Sequence, residues 1–216
     1  MKVASVGCAL LAIVTAGCSG RPEVAPSPDG AGAWVAIAGG PGTGCARDSA
    51  FAFFVHSGRS RHLAIYFEGG GACWNAGNCD LEGRPTFDPQ VDARDHPSRA
   101  GGILDLSDPR NPIRDFSIVF VPYCTGDVFL GSRTATYTVP AAPDAPERSY
   151  RIRHRGSTNT DFVLDWVFAH FPEPDLVFVT GSSAGAIATP LDAVRIARSG
   201  RAGDPRALGR HRGAAA

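Results

Sequence analysis

A chain of 216 residues with 44% hydrophobic residues is long enough to fold as one domain around a substantial core. Its 21 basic and 21 acidic residues cancel, and neither sign gathers into a block. The composition therefore gives no electrostatic footprint for nucleic acid.

The N-terminus reads as an export signal. Met1-Lys2 is a short positive start, and the apolar run Val3 to Thr15 is too short to cross a bilayer. Thr15-Ala16-Gly17-Cys18 resembles a bacterial lipobox, so residues 1–17 are expected to be a lipoprotein-type signal peptide, with Cys18 carrying a lipid that contacts the membrane. The competing reading is an ordinary signal cleaved nearby. Residues 18–37, rich in Pro, Gly and Ala, read as a flexible tether. Cys8 lies in the leader and Cys18 is assigned to lipid, which leaves Cys45, Cys73, Cys79 and Cys124. In an oxidising compartment these imply two disulfides, with three possible connectivities. Zinc is disfavoured at Cys73 and Cys79, because no Cys-x-x-Cys or His pair accompanies them. No metal or cofactor is expected.

The folded part, residues 38–192, alternates in type. Phe51–Val55 and Leu63–Phe67 read as strands, and Glu68-Gly69-Gly70-Gly71 follows the second directly. A long polar stretch runs from Asp80 to Asp115. Ile118–Val121 is fully apolar, in the manner of a strand buried on both faces. Phe162, Trp166, Ala169 and His170 recur at helical spacing after the candidate caps Thr160 and Asp161. A buried strand, Leu176–Val179, comes next. Strands alternating with helices predict an α/β fold, with a mainly parallel sheet and flanking helices. In residues 193–216, Arg, Ala and Gly supply 17 of 24 positions. That composition reads as translation out of frame after about Leu191 or as a disordered tail.

The chemistry centres on Gly181-Ser182-Ser183-Ala184-Gly185, reached from the apolar strand. A strand running into Gly-x-Ser-x-Gly and then a helix is the nucleophile elbow of α/β-hydrolases, with Ser183 as nucleophile. Such a site needs donors for a developing oxyanion, and these are expected from the amide of Ala184 and from the glycine loop. Gly39-Gly40-Pro41-Gly42-Thr43-Gly44 hints at a phosphate loop, but Cys45-Ala46 stands where Lys and Ser/Thr are needed.

Phe67-Glu68-Gly69-Gly70-Gly71-Ala72-Cys73-Trp74, then Val121-Pro122-Tyr123-Cys124-Thr125-Gly126-Asp127, then the Ser183 pentapeptide resemble the pectin acetylesterase/Notum family in order and spacing. The resemblance covers roughly Gly44 to Leu191. It implies an α/β-hydrolase-like fold and a serine carboxylesterase that removes O-acyl groups, often acetyl from polysaccharide, with an acylated saccharide or other ester as partner. Family roles carry over as Ser183 for the nucleophile and Gly70, Gly71 and Ala184 for the oxyanion hole. Asp127, inside a family motif, is read as structural.

The family's acid and histidine lie well downstream of the serine. Here only Asp192, Asp204 and His211 follow Ser183, so the domain is expected to be truncated after the elbow and the esterase impaired. The alternative is a non-catalytic surface lipoprotein on a relict hydrolase scaffold, binding carbohydrate or partners through Trp74, Tyr123 and Phe129.

Overall fold

A computed structural model of the chain describes residues 32–80 and 86–200. The chain runs β1 Trp34–Ala38, β2 Ala52–His56, β3 His62–Phe67, β4 Ser117–Val121, β5 Arg133–Val139, β6 Arg148–His154, α1 Gly156–His170, β7 Leu176–Gly181 and α2 Ala184–Gly200. Signal, lipid site and residues 201–216, including Asp204 and His211, lie outside the described residues.

Five strands form one sheet in the order β1-β2-β4-β3-β7, while β5 and β6 pair as a separate antiparallel hairpin. β3 runs parallel to β4 and to β7, but β1–β2 and β2–β4 are antiparallel. The α/β class holds, and the expected mainly parallel sheet is corrected to a mixed one. The short polar connection 57–61 lets β3 follow β2 in sequence without pairing with it, and β4 fills the gap.

Alternation along the strands explains the layers. Phe53 and Val55, Leu63, Ile65 and Phe67, and Val119 and Val121 bury their side chains on one face, with Val163, Leu164 and Val167 of α1 and Ala184, Ala188 and Ile196 of α2. Phe54, Ala64, Ile118 and Phe120 point the other way, against Leu104 and Ile113. Among the described residues that second face is covered by the polar stretch 86–115 and by no α-helix; three single-turn 3-10 segments give it what regularity it has. Among the described residues, α-helices therefore flank the sheet on one side only.

Three boundaries and the burial of one strand differ from the sequence reading. β1 takes up residues 34–38, the end of the stretch read as tether, because Trp34 to Ala38 pair with His56 to Ala52 along the β2 edge. α1 begins at Gly156, so Thr160 and Asp161 lie within it, and its first N–H donates to Asp127 Oδ2 at 2.8 Å. A carboxylate supplied by a distant loop thus satisfies the helix start electrostatically. α2 continues to Gly200, burying Asp192 and Ile196 well past Leu191. Finally, β7 is half exposed rather than buried, with Leu176 48% and Phe178 37% accessible at the edge of the described sheet.

Candidate active site

The elbow is built by close approach. β3 and β7 end side by side, with Phe67 opposite Gly181, and the chain then reverses into α2 within Ser182 and Ser183. Ser183 has φ +47°, the left-handed conformation that a side chain rarely adopts. Its main-chain oxygen is already in the helix, accepting from Ile187 N–H at 3.1 Å. Gly185 permits the turn, because a Cβ there would overlap the backbone of Phe67 and come within 2.7 Å of the Glu68 oxygen. Ala184 opens α2, and as a first-turn amide its N–H has no intrahelical acceptor.

The glycine loop lies against this turn. Gly69 N–H donates to Ser182 Oγ at 2.9 Å, and a Cβ on Gly69 would come within 2.9 Å of Ser183 Cβ. Further anchors are Glu68 N–H to the Val121 oxygen at 3.0 Å and Cys73 N–H to the Gly126 oxygen at 2.7 Å. None of these bonds uses the Gly70 or Gly71 amide. Gly71, Ser183 and Ala184 line one cavity of about 260 Å³, whose apolar walls include Trp74, Val128 and Ile187. Gly70 is not in that lining; its α-carbon faces the Tyr123 ring, 3.0 Å from where a Cβ would stand.

A second cavity, about 480 Å³, adjoins the first and shares Ala72, Trp74 and Val128 with it. Arg133, Tyr137 and His154 of the hairpin reach its wall. Trp74, 70% exposed, stands between the two spaces, whereas Tyr123 and Phe129 are each 2% exposed and belong to the core. Of the aromatic trio offered as a saccharide face, Trp74 alone is available.

Val128, which the sequence did not single out, lines both cavities. Val128 and Phe129 both have positive φ, +57° and +61°, a strained pair for non-glycine residues. Tyr123 Oη accepts from Val128 N–H at 2.9 Å, and Asp127 Oδ1 accepts from Phe129 N–H at 3.2 Å and Thr125 Oγ1–H at 2.6 Å. Asp127 is thus fully occupied with backbone and loop. Glu68 Oε2 accepts Tyr123 N–H at 3.0 Å, and burial pushes its carboxyl up to about 7, with Asp95 and Asp88 adding to the effect.

No histidine among the described residues lines the cavity that holds Ser183. His154 has both ring nitrogens engaged, by Tyr137 Oη at 2.8 Å and the Thr125 oxygen at 2.9 Å. His170 stacks on Trp166, and His96 bonds Ser98. Asp192 is buried and held by Arg195 at 2.7 Å, and Arg195 also pairs with Asp161 across to α1. Burial raises the Asp192 carboxyl to about 6. Two disulfides, Cys45–Cys124 and Cys73–Cys79, settle the connectivity that the sequence left open.

The sequence pattern of the pectinacetylesterase family matches residues 34–199. The chain belongs to that family. The match runs from β1 nearly to the end of α2, so it includes the Arg/Ala-rich turns after Leu191. Among curated relatives, the palmitoleoyl-protein carboxylesterase Notum of Schmidtea mediterranea is 29% identical over 143 residues, 64% of this chain and 25% of that protein. Notum of Homo sapiens is 29% identical over 161 residues, 71% of this chain and 29% of that protein. Among solved structures, the Wnt deacylase Notum from Drosophila matches with a TM-score of 0.50 at 20% identity, covering 75% of this chain and 46% of that one. That likeness supports the hydrolase fold. The chain spans between a quarter and a third of the length of these curated relatives.

Proposed function

We propose that this chain carries the nucleophile half of an exported serine carboxylesterase that removes O-acyl groups, acetyl in particular, from a saccharide. One observation carries the reading: Ser183, at φ +47° on a strand-to-helix turn, opens into the same cavity as Gly71 and Ala184. In this reading Ser183 Oγ attacks the ester carbonyl, and its proton passes through a base to the departing sugar oxygen. The amides of Gly70, Gly71 and Ala184 receive the negative charge that forms on the carbonyl oxygen. Water then breaks the acyl–serine bond by the reverse sequence and leaves the acid.

The small cavity suits the acyl side. At about 260 Å³ it falls below the ~300–1,000 Å³ of pockets that enclose drug-sized ligands, which favours acetyl over a long chain. The neighbouring space beyond Trp74 then takes the alcohol side, where an indole face can stack on a sugar ring. Cys18 would hold the protein at the cell envelope, and the two disulfides fit an oxidising compartment.

A base and its orienting acid are expected downstream of Ser183, as the family relation implies. Because no described histidine reaches Ser183, we expect slow turnover from residues 1–216 alone. Labelling with a fluorophosphonate tests the assignment: adduct at Ser183, lost in Ser183→Ala, supports the esterase. Saccharide binding with no adduct in either protein would favour the relict binding scaffold instead.

A further inference from the structure

A cavity larger than the two beside Ser183 lies away from them. It has a volume of about 670 Å³, and Arg59, Arg99 and Arg114 line it together with Trp34, His56 and Leu104. These residues sit where β1 begins, where β2 ends and just before β4. Ser183, by contrast, follows the C-terminal ends of β3, β4 and β7. This cavity and Ser183 are therefore at opposite ends of the sheet, separated by the length of β4, roughly 16 Å at 3.3 Å per residue.

The arginines come from three separate segments: the turn after β2, the 3-10 turn Pro97–Arg99 and the approach to β4. Their convergence is a property of the fold, since no sequence run of charge produces it. Among the described residues, none of the three guanidiniums makes an ion pair or a side-chain hydrogen bond. Two carboxylates share the wall, Asp105 and Asp115. Asp105 is already taken by Ser107, whose N–H and Oγ–H donate to it at 3.1 and 2.6 Å. Three arginines against two carboxylates leave the lining one positive charge in excess, although Arg114 also helps to hold the nearby Asp108 carboxyl below its ordinary range, and the guanidiniums are planar forks suited to carboxylate or phosphate. Trp34, half-buried and with its ring centroid 5.4 Å from that of His56, adds an aromatic face. Buried Leu104 adds an apolar contact.

We infer that this hollow is a second binding site, for an oxyanion-bearing ligand larger than the anion itself. The volume lies within the range of small-molecule pockets, and one phosphate or carboxylate would fill only part of it. The remainder of the ligand packs on Trp34 and Leu104. The site is independent of the Ser183 chemistry, and it would hold an acidic chain or a phosphorylated molecule without cleaving it.

The test uses the full chain labelled with 5-fluorotryptophan, whose signals from Trp34, Trp74 and Trp166 are assigned by Trp→Phe variants. Trigalacturonate, neutral trigalactose and inorganic phosphate are titrated in turn. We expect the Trp34 signal to move with an anionic probe and not with trigalactose. The dissociation constant should weaken at least tenfold in Arg59→Ala/Arg99→Ala/Arg114→Ala, roughly the loss of one charge-assisted contact or more. All three arginines are exposed, so an unchanged melting temperature should show that the variant folds. A Trp34 response to trigalacturonate assigns the anion to a sugar acid, and a response to phosphate alone assigns it to a phosphorylated ligand. No Trp34 response to either, a response confined to Trp74, or equal binding by the triple variant overturns the proposal.

Discussion

At the scale of single residues, Glu68 is the most consequential group beside Ser183. It precedes the glycine loop, accepts Tyr123 N–H at 3.0 Å, and Tyr123 in turn holds Val128, which lines both cavities. Burial raises its carboxyl from 4.5 to about 7. The unfolded chain therefore releases this proton near 4.5 and the folded chain near 7. Between those values the folded state binds more protons, so Glu68 costs stability progressively as pH rises from about 4.5 to 7, and the cost is constant above that. The bare difference corresponds to about 3 kcal/mol at most. Screening of a partly exposed carboxylate brings the expected effect to about 1–2 kcal/mol. Glu68→Gln keeps an acceptor for Tyr123 and removes the charge. Its melting temperature should exceed that of the parent at pH 8 and match it at pH 4. A difference of the same size at both pH values would show that packing, not ionisation, is the cause.

At the scale of elements, β7 carries the elbow and also a liability. Its Leu176 and Phe178 are exposed while Val177 and Val179 pack against the core, and among the described residues it pairs on one side only. An apolar strand edge is a template for another copy. Phe178→Lys should reduce concentration-dependent self-association in light scattering, with little change in melting temperature, because the side chain leaves no core contact behind. Undiminished association would place the sticky surface elsewhere, with Ile187, Leu191 and Val194 of α2 the next candidates. The same elements mark what the sequence could and could not tell. β2, β3, β4 and β7 were legible because their apolar runs are dense, and Gly-x-Ser-x-Gly after one of them located Ser183. β5 and β6 were missed although Tyr150, Ile152 and His154 alternate into the core and Tyr137 and Val139 pack against it, because these inward positions are spaced among arginines and threonines and form no dense apolar run. Arg and Ala after Leu191 looked foreign to a fold, yet both are strong helix formers, and α2 simply continues through them. Contacts such as Gly69 to Ser182, separated by 113 positions, depend on β3 and β7 ending together, so no local window contains them.

At the scale of the whole molecule, the two disulfides do different work. Cys45–Cys124 joins residues 79 apart, and the loop around it is a junction. Ala46 N–H donates to the Cys124 oxygen at 2.9 Å, Arg153 N–H donates to the Ala46 oxygen at 3.0 Å, and the Asn159 amide exchanges two bonds of 3.0 Å with Gly44. The β1–β2 loop, the segment after β4, β6 and α1 are joined there. Cys73–Cys79 spans only six positions, but it tethers Trp74 and the segment leading from Gly71. On the chain-entropy account, closing the long loop stabilises by about 4–5 kcal/mol and closing the short one by about 2. Cys45→Ala/Cys124→Ala should therefore lower the melting temperature more. Cys73→Ala/Cys79→Ala should slow fluorophosphonate labelling of Ser183 more, because it frees the wall shared by the two cavities. Calorimetry and labelling rates on both double variants separate the roles. If the long-range pair governed labelling as strongly as stability, the cavity beside Ser183 would be held by the global fold, and the Trp74 loop would have no special part in it.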